Sequence, residues 1–211
     1  MNFQTLDALT QDFTQNYKFL IGPISPRPIA FISTRNLDGS NNLAPFSFFT
    51  AVSAKPMIIA FCPLIRSSNE TKKDTQVNIE REKEFVVNFV HEAIATKVNL
   101  ASTELPYGED EFKFAGLTPL KSDVVKAMRV QESMVHFECK LRDILSYGDK
   151  KGAGSLITGE VIKIHVESSI FHDGKIDMQK YRPVARGAGN DWVRYTDVFE
   201  MERLMKAQIQ K

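Results

Sequence analysis

The chain has 211 residues, 43% apolar and 25% charged, with 27 Lys and Arg against 26 Asp and Glu for a net charge of +1. That length suits a single domain, 1–211, able to bury roughly 70% of its extended surface without staples. So even a balance excludes a general electrostatic attraction to nucleic acid or an anionic membrane, and no apolar run approaches the ~18 residues of a spanning helix. Cys62 and Cys139 are the two cysteines; each sits in an apolar stretch and reads as a buried free thiol. The opening MNFQTLDALTQDF lacks a basic-then-apolar leader, so the cytoplasm is the expected location.

In chain order, Pro28 to Thr34 (PIAFIST) reads as a strand, and Asp38-Gly39 supplies a tight hairpin turn. Asn42 to Ala51 returns as a strand that Pro45 must interrupt or confine to a sheet edge. Pro56 to Pro63 is another strand-length apolar run. A polar stretch, Ser67 to Lys83, holds a short helix with Asp74 as its expected N-cap, ending near Glu82. Glu84 to Val90 reads as a strand, Glu92 to Ser102 as a helix, and Pro106 to Leu120 as a long loop. Val135 to Leu145 and Leu156 to Val166 alternate as strands, and Asp173-Gly174 marks a further turn. Val198, Met201 and Met205 at helical spacing predict a terminal helix over 196–209. Strands predominate without a βαβ rhythm or a repeat, which predicts a mainly β, antiparallel barrel or sandwich with inserted helices.

The motif order from Leu20 resembles the flavin reductase-like family, whose fold is an FMN-binding, antiparallel Greek-key split β-barrel. The matching residues are Ile24 to Thr34 (ISPRPIAFIST), Asn42 to Phe49 (NLAPFSFF), Lys73-Asp-Thr75 with Asn78-Ile79, and Glu84 to Asn88. Glu111-Phe112 with Ala115-Gly-Leu117, Glu138-Cys139, Gly159-Glu-Val161 with His165, and Pro183 to Gly189 follow in the same order. The resemblance spans roughly 18–195. Two departures are Phe31, where relatives often carry Trp, and Gly187-Ala188-Gly189, where many carry Gly-Gly. The resemblance implies a homodimer with FMN near its interface and hydride chemistry with NADH or NADPH. It equally admits a flavoredoxin-like carrier passing electrons to a partner protein, or a non-catalytic FMN-binding protein.

FMN would set three problems: a dianionic phosphate, a polar ribityl chain and a flat ring. Asp74 and Thr75 at a helix start, beside Lys73, offer amides, a hydroxyl and a cation for the phosphate. Arg27, fixed between prolines, suits the phosphate or the pyrimidine edge of the ring, although a surface salt bridge would explain it equally well. Leu43, Ala44 and Pro45 are expected along the ring plane, with Asn42, Ser47 and Phe48 at its polar edge and wall, and Phe46 in the core. Ser33 and Thr34 are expected to face the same groove, and Asn78 to reach the ribityl chain or phosphate. His165 and Arg186 are candidates for the nicotinamide side through the resemblance. No Gly-x-Gly-x-x-Gly follows a strand, so the pyridine nucleotide would stack on the flavin without a Rossmann site. No metal is expected, since no His, Cys, Asp or Glu group shows metal-ligand spacing. Hydride transfer demands no acid or base from the protein, so no catalytic residue is assigned.

Overall fold

The computed structural model describes residues 1–203. Helix α1 (Phe13–Ile21) comes first, started by a reciprocal cap between Asp12 and Gln15 that sequence reading passed over. Strands β1 (Arg27–Pro28), β2 (Ala30–Arg35), β3 (Asn41–Phe46), β4 (Phe49–Ala54) and β5 (Met57–Phe61) follow. Helix α2 spans Asp74–Glu82, β6 Glu84–Phe89, and α3 Ala95–Leu100 after a single 3-10 turn at Glu92–Ile94. Short elements α4 (Glu111–Phe114), β7 (Pro119–Leu120) and β8 (Arg129–Val130) lead to the long pair β9 (Val135–Ser146) and β10 (Ser155–Val166). Strands β11 (Phe171–His172) and β12 (Lys175–Ile176), helix α5 (Met178–Tyr181), and strands β13 (Val184–Arg186) and β14 (Trp192–Arg194) complete the order.

Seven strands pair antiparallel in the order β3-β2-β6-β9-β10-β5-β4. The two edge strands, β3 and β4, are consecutive in the chain and separated only by Ser47 and Phe48. Edges joined by two residues must lie close in space, so the sheet curls round on itself. Because β3 and β4 do not pair, a seam remains, and the result is a split barrel with Greek-key crossovers from β2 to β6 and β5 to β10. The expected fold class is the observed one. Pro45 sits on edge strand β3, where its missing N–H costs no ladder bond.

Three expected elements are corrected. The return strand 42–51 is two strands, because the chain turns from one sheet edge to the other at Ser47-Phe48. The loop 106–120 contains α4, whose first amides, Phe112 and Lys113, are capped by Asp110 while Phe112 enters the core. No helix forms over 196–203, where Val198 and Met201 are exposed. The rest of the expected terminal helix lies outside the described residues.

The barrel interior is filled by Ile32, Phe46, Phe61, Phe85 and Ile157, with Phe61 tilted against Phe46 at 5.2 Å and edge-to-face with Phe85 at 5.5 Å between ring centroids. Gly159 on β10 lets Phe85 approach: a Cβ there would stand 2.4 Å from Phe85 Cζ. A second core, outside the barrel, packs Phe31, Leu43, Val98, Phe112 and Val130 under α3 and α4. These two cores hold the seam between them.

Candidate functional site

Along the seam runs a chain of adjoining hollows. One is lined by Ile29, Pro45, Ser47, Asn99, Arg186 and Trp192. The next, sharing Pro45 and Ser102 with it, is walled by Asn42, Ala44, Arg66, Lys73, Thr75 and Glu111. A third adds Tyr17, Phe48 and Cys62 on the side of α1. The groove thus runs from an aromatic and arginine end to a cationic end.

The cationic end is built on the N-terminus of α2. Its N-cap is Lys73, which makes no side-chain cap, and Asp74 is the first helical residue. The expected N-cap role of Asp74 is therefore corrected: its carboxylate pairs with Arg66 at 2.8 Å instead. First-turn amides stay outside the helical ladder, and a lysine at that end opposes the helix dipole. Burial, and next the charge of Arg66, hold the Lys73 ammonium below its ordinary pKa. Arg66 Nε is buried and makes no hydrogen bond among the described residues. Uncapped amides, crowded cations and an orphaned donor converge on one spot, a donor set suited to an anion such as a phosphate group.

Beneath them lies a buried polar layer. The Asn42 amide donates to Thr75 Oγ1 and Thr34 Oγ1, each at 2.9 Å. Asn78 donates to Thr34 Oγ1 at 3.0 Å and to Asn36 Oδ1 at 2.7 Å, and is fully buried. Asn42 and Thr75 line the groove, whereas Thr34 and Asn78 support them from below. Glu111, which sequence reading quoted only within a motif, also lines this hollow; its Oε2 accepts the Leu43 N–H at 2.9 Å. Burial pushes its carboxyl up to about 7, against the lowering effect of that amide.

Several candidates sit elsewhere. Ser33 and Thr34 are successive strand residues and point to opposite faces, so they cannot share a groove. Ser33 turns to Met128 and Asn88. The Leu43 side chain is fully buried in the outer core, leaving Ala44 and Pro45 on the groove wall. Arg27 is 4% exposed and spends its guanidinium on the carbonyls of Ile21, Ile24 and Gly187. Its remaining contact is Nε to Ser47 Oγ at 3.4 Å, so it ties the seam together from behind. Phe48 stands in the groove against Tyr17, ring centroids 6.2 Å apart. Cys62 is half-buried in the same hollow, not fully buried as expected, and Cys139 is buried; both are free thiols.

Of the two nicotinamide-side candidates, Arg186 lies in the groove, 5.2 Å above the Trp192 ring. His165 is bonded to Glu138 at 2.6 Å, across the sheet from His136. Glu138 is fully buried and also accepts the amides of Asp123, Val124 and Val125. Burial alone would raise the Glu138 pKa, but those amides and His165 outweigh it and hold it below the usual range. The fold brings Asp123, Glu138 and His165 within 4.8 Å of one another, a juxtaposition that their sequence spacing conceals. Both Glu138 oxygens are already engaged there. Sequence reading also missed Arg66, Glu104 and Trp192; Arg66, directly after an apolar run, had a weak signal in its position, and Trp192 had none beyond its rarity.

A curled antiparallel sheet with a polar, cationic groove along its seam places the molecule among the split-barrel proteins. The chain belongs to the flavin reductase like domain family, whose model matches residues 24–181. It is 39% identical over 191 residues to an uncharacterised protein of Halalkalibacterium halodurans, covering 90% of this chain and 91% of the relative. A protein of Aquifex aeolicus is 40% identical over 179 residues, 84% and 89% of the two chains. Among solved structures, nitrilotriacetate monooxygenase component B from Bacillus cereus superposes with a TM-score of 0.90 at 31% identity, over 95% of this chain and 100% of the other. Flavoredoxin of Desulfovibrio vulgaris, at 21% identity and a TM-score of 0.71 over 84% and 91%, shares the fold. Membership supports a flavin-related oxidoreductase. No helix among the described residues is long and apolar enough to cross a membrane.

Proposed function

We propose that the protein binds FMN along the seam and reduces it with NADH or NADPH. The observation that carries the reading is the start of α2, where Lys73, Arg66 and the uncapped amides gather with no side-chain cap between them. In this reading Lys73, Arg66, Thr75 and the Asp74 and Thr75 amides hold the phosphate. Asn42 orients the Thr75 hydroxyl, whose oxygen it occupies as an acceptor, so that the proton can point to the groove. Ala44, Pro45, Ser47 and Phe48 would line the ring, and Arg186 with Trp192 would close the far end. When bound, FMN supplies the redox chemistry, accepting hydride from the nicotinamide. The chain's own residues bind, orient and shield; none is required to move a proton.

One observation favours a second reading, electron transfer between proteins in the manner of a flavoredoxin. His165, the residue expected beside the nicotinamide, is committed to Glu138 and does not line the hollows of the seam. Anaerobic mixing of the FMN-loaded protein with NADH and with NADPH separates the two. Loss of the oxidised-flavin absorbance within seconds supports the reductase; reduction by neither nucleotide, but rapidly by a protein donor, supports the carrier. A protein that takes up no FMN on titration overturns both.

We further infer that two copies associate through the face of β4 and β5. Phe49, Val52, Met57 and Ile59 line an apolar hollow there with Phe89 and Phe137. Two unpaired thiols accord with a reducing, cytoplasmic location.

A further inference from the structure

The charges around the phosphate end of the groove do not leave a surplus for a dianion. Lys72 is spent on Glu80 at 2.7 Å. Arg66 and Lys73 remain, faced by the carboxylates of Asp74 and Glu104, while Glu111 in the same hollow is pushed towards its neutral form by burial. Asp74 is fixed: it is the first residue of α2, its side chain is 15% exposed, and its bond to Arg66 is charge-assisted at 2.8 Å. Glu104 is of another kind. It lies in the irregular segment after α3, and its side chain is 45% exposed. Its Oε1 accepts from Ser68 Oγ at 2.6 Å and stands 3.5 Å from Arg66 Nε without making a hydrogen bond to it. It also lines three neighbouring hollows together with Arg66.

We propose that Glu104 is a resident competitor for the flavin phosphate, leaning on the Arg66 and Lys73 cations and setting how readily FMN leaves. The proposal rests on the FMN reading above and adds to it a residue that governs exchange. A phosphate carries a charge of about −1.5 to −2 and offers three strong acceptor oxygens, so it displaces a single, partly exposed carboxylate. Exposed ion pairs are weak, so Glu104 can swing into solvent at small cost while Asp74 stays in place. The departing carboxylate remains close to the bound phosphate, and the repulsion favours release. The site would then hold FMN as an exchangeable ligand.

The test compares the full-length protein with Glu104→Gln by quenching of flavin fluorescence, using FMN and riboflavin, the latter lacking the phosphate. Glu104→Gln keeps the shape and the Ser68 contact, and an unchanged thermal transition checks the fold. The expected result is FMN binding tighter by about fivefold, chiefly through slower release, with riboflavin affinity unchanged. Equal FMN affinity in the two proteins, or an equal gain for riboflavin, overturns the role of Glu104 while leaving the FMN reading intact. Failure of the unsubstituted protein to take up FMN overturns both.

Discussion

The side-chain amide of Asn42 on β3 donates at 2.9 Å to the hydroxyl of Thr75 in the first turn of α2, joining the sheet edge to the helix start. Its second hydrogen serves Thr34 at the same distance, so one amide orders two buried hydroxyls. Replacing Asn42 by Ala removes both donors and leaves buried oxygens short of a partner. We expect a loss of about 1–3 kcal/mol in stability, measured by urea unfolding. FMN affinity should fall by more than in Asn78→Ala, because Asn78 supports Thr34 and does not touch Thr75. Equal losses in the two variants would remove Asn42 from the site.

Glu111 gives the groove a pH dependence. Its carboxyl is raised from 4.5 to about 7 by burial, with Asp74 and Asp110 adding smaller effects in the same direction. The folded state therefore binds this proton more tightly than the unfolded chain. The stabilisation is complete below about pH 4.5 and is lost as pH rises through 7, to a maximum on the order of 3 kcal/mol. Glu111→Gln should lose this contribution, so that its stability rises relative to the unsubstituted protein as pH goes from about 4.5 to 7, read from denaturation midpoints. A slope identical to the unsubstituted protein would show that Glu111 is ionised throughout.

His136 acts with the opposite sign. Burial holds its pKa at about 4 against an ordinary 6.5; Nε2 bonds the Val130 carbonyl at 2.8 Å and Nδ1 has no partner among the described residues. The unfolded chain takes up this proton first, so stability falls as pH drops from 6.5 towards 4. His136→Gln should remove this rise with increasing pH, so that the fall contributed by Glu111 shows undiminished between about pH 4.5 and 7. The two contributions nearly cancel between about pH 4.5 and 6.5 and together place maximal stability near pH 5.5.

How much of this was legible in the sequence follows from the kind of signal each residue carries. The long strands β9 and β10 show themselves by alternation, and the Asp38-Gly39 turn by the positive φ of 87° that Gly39 adopts. The split at Ser47-Phe48 was not legible, because both sides are equally strand-like and only the closure of the sheet separates them. Asp74 looked like a cap because it precedes the helix by composition, but Arg66, eight residues earlier, competes for its carboxylate. Arg27 carries a formal charge that suggested a ligand, whereas the fold surrounds it with carbonyls from α1, its following turn and the Gly187 loop. Glu104, in the irregular segment after α3, and Glu111, at the start of the four-residue α4, reach the groove from pieces of chain too short for periodicity to show.

Gly159 tests the barrel core. Its α-carbon faces Phe85, which is fully buried, and a Cβ would come within 2.4 Å of the ring. Phe85 cannot yield cheaply, because it is fully buried and packed edge-on against Phe61. Gly159→Ala should destabilise by about 1–3 kcal/mol through overpacking. Combining it with Phe85→Leu should recover part of the loss, since the shorter side chain leaves room. Additive losses in the double variant would place the strain elsewhere.

The apolar face of β4 and β5 supplies the last prediction. Val52 is 57% exposed, and Ile164, directly opposite Phe137 across the β9–β10 pair, is 48% exposed. Val52 lines the hollow with Phe49, Met57 and Phe137, and Ile164 adjoins it as the cross-strand neighbour of Phe137. In a two-fold dimer one substitution appears twice in the same interface, so an introduced charge is desolvated on both copies and faces its own image. Sedimentation velocity of the unsubstituted protein should give the mass of two copies. Val52→Glu should raise the dimer dissociation constant by about a hundredfold or more, the equivalent of roughly 3 kcal/mol. Val52 lines neither of the hollows that contain Lys73, so phosphate-dependent binding should persist in the monomer. A dimer unaffected by both Val52→Glu and Ile164→Lys would assign the contact to another face of the barrel.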